Sequence, residues 1–147
     1  MSRVEMHIVG KLDAYLEKRQ LGSIKVLGIG EEKKLDDLAC ILREKYRDRL
    51  YITKSKPYFL EFMHPDATKG KALKAVAEYL KIAPENIAAV GDSFNDLTMF
   101  DYAGLAVVMG NAKEQIKEYA DIVIAPNYEE VVAQFIEKYI LKESGDK

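Results

Sequence analysis

The chain has 147 residues, of which 48% are hydrophobic and 31% charged, so it is long and apolar enough for a globular domain with a buried core. Its 22 Lys and Arg and 24 Asp and Glu are interleaved and give a net charge of -2, which argues against nucleic acid or an anionic membrane as a partner. The single cysteine, Cys40, excludes an internal disulfide, and neither a membrane-spanning apolar run nor a signal-peptide stretch occurs, so we expect a cytoplasmic protein.

The first part of the chain predicts an antiparallel or mixed sheet covered on one side by helices. Apolar residues recur at helical spacing in two segments, and two strands joined by a polar connection form a hairpin. The predicted order is helix, strand, helix, strand and strand, at residues 8–21, 24–30, 35–46, 50–53 and 58–63. Cys40 lies beside the apolar stripe of the second helix, and we expect it to be partly buried.

From Thr68 onwards, strands and helices alternate. Thr68 is the predicted N-cap of a helix, and three apolar strands follow, each separated from the next by a helix. The strands are predicted at residues 87–90, 105–109 and 122–125, and a closing helix at residues 131–140. Uniformly apolar strands that alternate with helices are typical of a parallel sheet with helices on both faces. A boundary near residues 63–67 divides the chain into predicted domains at 1–65 and 66–147.

The segment with the most chemical information runs from Gly91 to Asp96, where an apolar strand ends and a helix begins. Ligands bind at the carboxyl ends of strands in open α/β sheets, and Asp92 and Asp96 can converge there. Two carboxylates at such a turn suit a hard cation such as Mg²⁺. Ser93 followed by Asp96 also fits an ordinary helix N-cap, and position alone does not decide between the two interpretations.

Lys69 begins the helix that precedes this strand. An ammonium group there can reach a phosphate held over the strand ends, and its charge opposes the helix dipole, a mild cost that indicates another use. A solvated surface lysine is the alternative interpretation. The turn at Gly110 and Asn111, after the next strand, is interpreted as structural.

Taken together and in this order, four segments resemble the haloacid dehalogenase superfamily of phosphohydrolases, in its Cof-type sugar phosphatase branch. The matching segments are residues 59–62, 68–73, 89–100 and 103–112. The resemblance covers residues 57–140 and implies part of the Rossmannoid parallel sheet of that superfamily's core. Residues 24–63 look like the second half of the family's α/β cap. The two predicted domains are therefore a partial cap and the carboxyl-terminal half of the core.

The resemblance also implies a role for each candidate site residue. Lys69 would neutralise the charge of the phosphate and the nucleophile, and Asp92 would bind Mg²⁺. Asp96 would be a second carboxylate in or behind the metal's coordination shell, and Asn95 would donate a hydrogen bond in the phosphate pocket. These roles agree with the chemistry, because phosphoryl transfer mainly needs charge stabilisation and positioning. The substrate that the resemblance implies is a small phosphorylated metabolite such as a sugar phosphate.

One departure from the family pattern concerns the nucleophile. In the family it is the first Asp of a D-x-D motif that precedes the cap, and no two aspartates of this chain are separated by two positions. Asp66, in a polar turn, is not a credible substitute. The chain thus looks like the carboxyl-terminal part of a longer fold, and we expect it to be inactive alone. The missing central strand would leave an apolar sheet edge, open to a missing amino-terminal half or to a second copy of the chain.

Three functions stay open on the sequence alone. The first is a Mg²⁺-dependent phosphatase polypeptide that needs the missing half for turnover. The second is a non-catalytic assembly or binding domain that retains the scaffold and a weak phosphate site. The third is an enzyme similar to archaeal-type phosphoglycolate phosphatases, which share the lysine and the pattern from Gly91 to Asp96.

Overall fold

The computed structural model describes residues 7–127 and 130–141, which form two three-stranded sheets and their helices. The helices are α1 (Leu12–Arg19), α2 (Glu32–Tyr46), α3 (Lys69–Leu80), α4 (Leu97–Phe100), α5 (Glu114–Lys117) and α6 (Val131–Phe135). The strands are β1 (Lys25–Ile29), β2 (Tyr51–Lys56), β3 (Phe59–Met63), β4 (Ala88–Gly91), β5 (Leu105–Met109) and β6 (Ile122–Ile124). Short 3-10 turns lie at Arg47–Arg49, Pro84–Asn86 and Phe94–Asp96, and a π-helical turn, Ile136–Ile140, continues α6. The predicted mixed α/β class with a parallel sheet is confirmed.

The first sheet is antiparallel and has the order β1, β3, β2, with β3 in the centre. Its apolar face packs against α2. Leu35 and Ala39 of the helix and Ile52 and Leu60 of the strands form one buried cluster. The predicted apolar stripe of α2 therefore faces the sheet, and this packing holds the amphipathic helix against β2 and β3.

The structure corrects two expectations in this part of the chain. Cys40 is exposed rather than partly buried, because Ala39 beside it takes the position that faces the sheet. The first helix is shorter than the predicted span and buries none of its residues, and Ile8 before it is 96% exposed. Apolar residues at helical spacing therefore do not guarantee a packing partner, which only the tertiary structure supplies.

The second sheet is parallel and has the order β4, β5, β6. The central strand β5 buries Ala106, Val107 and Val108, as a strand covered on both faces requires. The outer strands are less covered, since Ala88 is exposed and Val123 is 51% exposed. The expected burial on both faces therefore holds along β5 but not along the outer strands. Within the described residues, β4 pairs with β5 on one side and has no strand on the other.

The connection between the two sheets contains the predicted domain boundary. β3 ends at Met63 and α3 begins at Lys69, so residues 65 and 66 lie in the segment between them. The division into two domains stays a prediction. Of the helices described, none has the length and apolarity that a membrane crossing requires.

The N-cap predicted for α3 is present. Oγ1 of Thr68 accepts a hydrogen bond from the backbone N–H of Lys71 at 3.1 Å. Alanine at this position leaves that N–H without its partner, so we expect Thr68→Ala to lower the free energy of unfolding by about 1 kcal/mol in urea titrations. Thr68→Ser keeps the hydroxyl group and should retain most of the stability. An equal loss in both variants would contradict the capping role.

Candidate active site

A pocket of about 210 Å³ lies between the two sheets. One wall is formed by residues 54–57, the end of β2 and the first residue of the turn that follows it. The other wall follows the strands of the parallel sheet and consists of Asp92, Ser93, Phe94, Asn111, Lys113 and Ile116. Because β4 and β5 are parallel, their carboxyl ends meet at this edge of the sheet, where open α/β sheets bind their ligands.

Asp92 follows the last residue of β4 and lines this pocket. Its Oδ2 accepts a hydrogen bond from Nδ2 of Asn111 at 2.9 Å, and its Oδ1 accepts one from Oγ of Ser93 at 3.0 Å. Asn111 is held in turn, because its Oδ1 accepts from the backbone N–H of Asn127 at 3.0 Å. Two neighbouring polar side chains therefore fix the orientation of the Asp92 carboxylate in the pocket wall.

Asp96 anchors the turn after β4 from within the protein, with a side chain only 5% exposed. Its Oδ2 accepts hydrogen bonds from the backbone N–H groups of Asp92 and Ser93, both at 3.0 Å. Its Oδ1 contacts Nζ of Lys69. The carboxylate thus stabilises the turn, as the N-cap interpretation requires, and also connects Lys69 to the end of β4.

Gly91 permits the close contact between the strand end and this carboxylate. A Cβ built on Gly91 would lie 2.6 Å from Cβ of Asp96 and 2.7 Å from its Cγ. Such distances are far below van der Waals contact between carbon atoms. The absence of a side chain at Gly91 is therefore a condition for placing Asp96 beneath the turn.

The structure brings together three of the four predicted site residues. Lys69, Asp92 and Asp96 are joined by the hydrogen bonds of the Asp96 carboxylate. No hydrogen bond between described residues links Asn95 to them, and Asn95 does not line the pocket. Its Oδ1 is buried without a hydrogen-bond partner among the described residues, an arrangement that costs free energy in a folded protein. The roles assigned to these residues stay predictions.

Several residues of the pocket were missed on the sequence. Asn111 was interpreted as part of a structural turn, but its side chain also orients Asp92. Its position directly after β5, the neighbour of β4, is the signal that could have identified it. Lys54 and Lys56 were predicted in the polar connection after residue 53, but β2 continues to Lys56, and no motif marks either lysine as a pocket residue. Their place beside Asp92 depends on how the two sheets pack, which local sequence does not encode.

Asp66, the aspartate judged unsuitable as a nucleophile, lies outside the pocket wall. Its side chain is 67% exposed and contacts Nζ of Lys71. The hydrogen bond and the charge of Lys71 hold the pKa of Asp66 below its usual value. A surface carboxylate neutralised by a neighbouring lysine and away from the pocket is not placed to attack a phosphate bound beside Asp92.

The donor atoms of the pocket fit Mg²⁺ as part of a site. Both carboxylates accept hydrogen bonds from protein donors, but Asp92 lines the pocket and accepts from only one donor on each oxygen, whereas Asp96 is buried beneath the turn. In residues 7–127 and 130–141, no three His, Cys, Asp or Glu side chains are grouped as a metal site. Mg²⁺ is commonly held by one or two carboxylates together with water and substrate phosphate. Asp92 therefore suits one position of the coordination shell, and further ligands must come from elsewhere.

A lysine and carboxylates at the strand ends of a parallel α/β sheet define an enzyme-like site of the kind that binds anionic ligands. The family model of the haloacid dehalogenase-like hydrolases matches residues 5–136 of this sequence. The chain therefore belongs to the haloacid dehalogenase-like hydrolase family, as the sequence motifs indicated.

Three similar proteins are each longer than this chain. It is 40% identical over 108 residues to the 5-amino-6-(5-phospho-D-ribitylamino)uracil phosphatase YcsE of Bacillus subtilis, a match that covers 72% of this chain and 43% of YcsE. It is 51% identical over 71 residues to the phosphoglycolate phosphatase of Archaeoglobus fulgidus, a match that covers 48% of this chain and 32% of that enzyme. A solved haloacid dehalogenase-like hydrolase from B. subtilis matches with a TM-score of 0.72 and 38% identity over 80% of this chain and 41% of that one. The chain spans less than half the length of each of these relatives.

Proposed function

We propose that the chain forms the carboxyl-terminal part of a cytoplasmic, Cof-type, Mg²⁺-dependent phosphatase of small phosphorylated metabolites such as sugar phosphates. The observation that supports this most directly is the network in which Asp96 joins Lys69 to the end of β4, beside Asp92 and the pocket. It places an ammonium group and the pocket-lining carboxylate of Asp92 around one backbone turn, and phosphoryl transfer depends on such charge placement. YcsE, by its name, acts on a compound phosphorylated on a ribityl chain, which supports this substrate class.

Each residue of the network has a distinct task in this proposal. Lys69 binds a phosphate oxygen. Its side chain is 49% exposed and therefore accessible to a ligand, and the contact with Asp96 orients its ammonium group. Asp92 is the metal ligand, and Mg²⁺ at this position neutralises phosphate charge and orients the phosphoryl group. Asp96 positions Lys69 without contacting substrate. The NH₂ group of Asn95 donates to the phosphate, a role that rests on the resemblance alone, because Asn95 lies outside the pocket lining and its buried Oδ1 can only accept a hydrogen bond.

In this proposal the nucleophile comes from outside these 147 residues, since they contain no D-x-D motif of the kind that the family uses. The edge of β4 opposite β5 has no strand among the described residues, and it adjoins the turn that carries Asp92. An unpaired strand edge is a template for a further strand. We propose that an amino-terminal half of the enzyme adds a strand there and brings an aspartate nucleophile next to Asp92.

The test is hydrolysis of an aryl phosphate by the purified chain alone and by the same chain fused behind the amino-terminal segment of YcsE. We expect background rates for the chain alone and Mg²⁺-dependent turnover by the fusion, which EDTA abolishes. Asp92→Asn in the fusion should weaken the apparent Mg²⁺ affinity at least about tenfold, because one carboxylate ligand is lost. Asp37→Asn is the control, since Asp37 is exposed on α2 and far in sequence from the network.

Two outcomes would overturn this proposal. Activity of the chain alone that survives Asp92→Asn would mean that other residues carry out the reaction. A folded but inactive fusion would favour a non-catalytic assembly domain, and sedimentation of the chain as a dimer would then indicate that a second copy covers the edge of β4.

A second candidate function is hydrolysis of phosphoglycolate. The observation that favours it is the 51% identity to the Archaeoglobus fulgidus phosphoglycolate phosphatase. Comparing turnover of phosphoglycolate and glucose 6-phosphate by the active fusion separates the two candidates. Preference for phosphoglycolate would support the second, and preference for the sugar phosphate the first.

A further inference from the structure

We propose that Lys56 of the β2–β3 hairpin determines substrate specificity by binding a carboxylate at the end of the substrate remote from the phosphate. The proposal rests on the proposed phosphatase function and deepens its second candidate, because phosphoglycolate is itself a phosphorylated hydroxy acid. It follows from the shape of the hairpin, from the charges around the pocket and from the two walls of the pocket.

A β-bulge brings the hairpin lysines to the pocket. Lys54 pairs with Leu60 and Lys56 with Phe59, so Ser55 is an extra residue without a partner in β3. Side chains of a regular strand alternate between its two faces, yet three consecutive residues, 54 to 56, line the same pocket. Bulges re-aim side chains in this way and are frequent next to active sites.

The bulge is held by a buried carboxylate. Oγ of Ser55 donates a hydrogen bond to Oε1 of Glu61 at 2.6 Å, and Glu61 is 6% exposed. Nζ of Lys25 lies 3.2 Å from the same Oε1 and offsets its charge. The conformation that presents Lys56 is therefore fixed by contacts within the antiparallel sheet and does not depend on a ligand.

The charges around the pocket leave Lys56 uncompensated. Nζ of Lys54 lies 2.6 Å from Oδ1 of Asp36, and Nζ of Lys113 lies 2.6 Å from Oε1 of Glu32. Among the residues that the structure describes, no carboxylate forms an ion pair with Lys56. Asp92 is the one acidic residue in the pocket lining, and the proposed metal takes up its charge. The hairpin wall therefore has a cation available for an anionic group of the ligand.

Asp92 and Lys56 lie on opposite walls of the pocket. Asp92 belongs to the wall formed by the parallel sheet, and Lys56 to the wall formed by the hairpin. A ligand whose phosphate lies beside Asp92 therefore presents its remote end to the hairpin wall. A carboxylate on an ammonium group forms a charge-assisted hydrogen bond, which is stronger than one from a sugar hydroxyl.

The test compares two ligands with the same carbon skeleton, 3-phosphoglycerate and glycerol 3-phosphate, which differ by a carboxylate in place of a hydroxymethyl group. Dissociation constants for the full chain in Mg²⁺ are measured by NMR titration. We expect 3-phosphoglycerate to bind about tenfold more tightly, the effect of one partly exposed charge-assisted hydrogen bond. Lys56→Gln should remove this preference and leave glycerol 3-phosphate binding unchanged, and Lys56→Arg should restore most of it.

Lys74→Gln is the matched control. Lys74 is an exposed lysine on α3, outside the pocket lining, and its removal should leave both dissociation constants unchanged. Equal binding of the two ligands to the wild-type chain, or a preference that survives Lys56→Gln, would overturn the role of Lys56 while leaving the phosphate site intact. Failure of both ligands to bind to the chain would overturn the role of Lys56 as well, whereas the proposed function is decided separately by turnover of the fusion.

Discussion

Gly70→Ala is expected to lower the free energy of unfolding by about 3 kcal/mol, although alanine normally favours a helix over glycine. Gly70 is the second residue of α3, and a Cβ there would lie 1.9 Å from the carbonyl oxygen of Thr98 and 2.5 Å from its carbonyl carbon. These are backbone atoms of α4, so no side-chain rotation relieves the overlap. The N–H of Gly70 also donates to Oγ1 of Thr98 at 3.0 Å, which holds the two helices together.

The matched control for this prediction is Gly22→Ala. A Cβ on Gly22 would have no heavy atom within 4 Å, so the substitution should change the free energy of unfolding by less than about 0.5 kcal/mol. Urea unfolding followed by circular dichroism measures both variants. Similar midpoints for Gly70→Ala and the wild type would contradict the close packing of α3 on α4.

Packing at Gly70 and chemistry at Lys69 are linked through α3. Lys69 is the first residue of this helix, and its ammonium group reaches Asp96 in the turn that leads into α4. A displacement of α3 away from Thr98 therefore also moves Lys69 away from Asp96. In the fusion with the segment of YcsE, Gly70→Ala should consequently reduce turnover even under conditions where the protein remains folded.

The sequence predicted best those features that depend on local spacing. The Thr68 cap, the apolar strand before Asp92 and the turn from Gly91 to Asp96 each lie within a few neighbouring residues, and the structure contains all three. The position of Lys69 near Asp96 was also predictable, because the start of a helix and the end of the following parallel strand lie at the same edge of a sheet.

Features that depend on tertiary packing could not be predicted. The bulge at Ser55 does not alter the apolar pattern of β2, so no local pattern predicts that Lys56 lines a pocket. The exposure of Cys40 depends on which flank of α2 meets the sheet. Similarly, the apolar residues of α1 predict a buried face, whereas none of its residues is buried in the part of the chain that the structure describes. In each case the outcome depends on a packing partner that is distant in the sequence, and the local pattern does not identify that partner.

Asp96→Asn is expected to lower the free energy of unfolding by about 2 kcal/mol, the cost of leaving buried hydrogen-bonding groups without their charged partner. The two oxygens of Asp96 face three donors, which are Nζ of Lys69 and two backbone N–H groups. An asparagine has one oxygen and one NH₂ group. Its NH₂ group, which is a donor, therefore faces either the ammonium group of Lys69 or the two backbone N–H groups, which are donors too. Lys69 is half-exposed and can turn to water, which limits the loss.

Asp66→Asn is the control that separates burial from ion pairing. Asp66 also contacts a lysine, Lys71, but its side chain is 67% exposed, against 5% for Asp96. Exposed pairs are screened by water and salt, so Asp66→Asn should leave the unfolding midpoint unchanged. Equal effects of the two substitutions would contradict the anchoring role of Asp96. If only Asp96→Asn is destabilised, the Asp96 carboxylate stabilises both the fold and the geometry of the site. The Asp92 carboxylate lines the pocket and does not hold the turn, so substitutions at Asp92 test the chemistry without disrupting the turn.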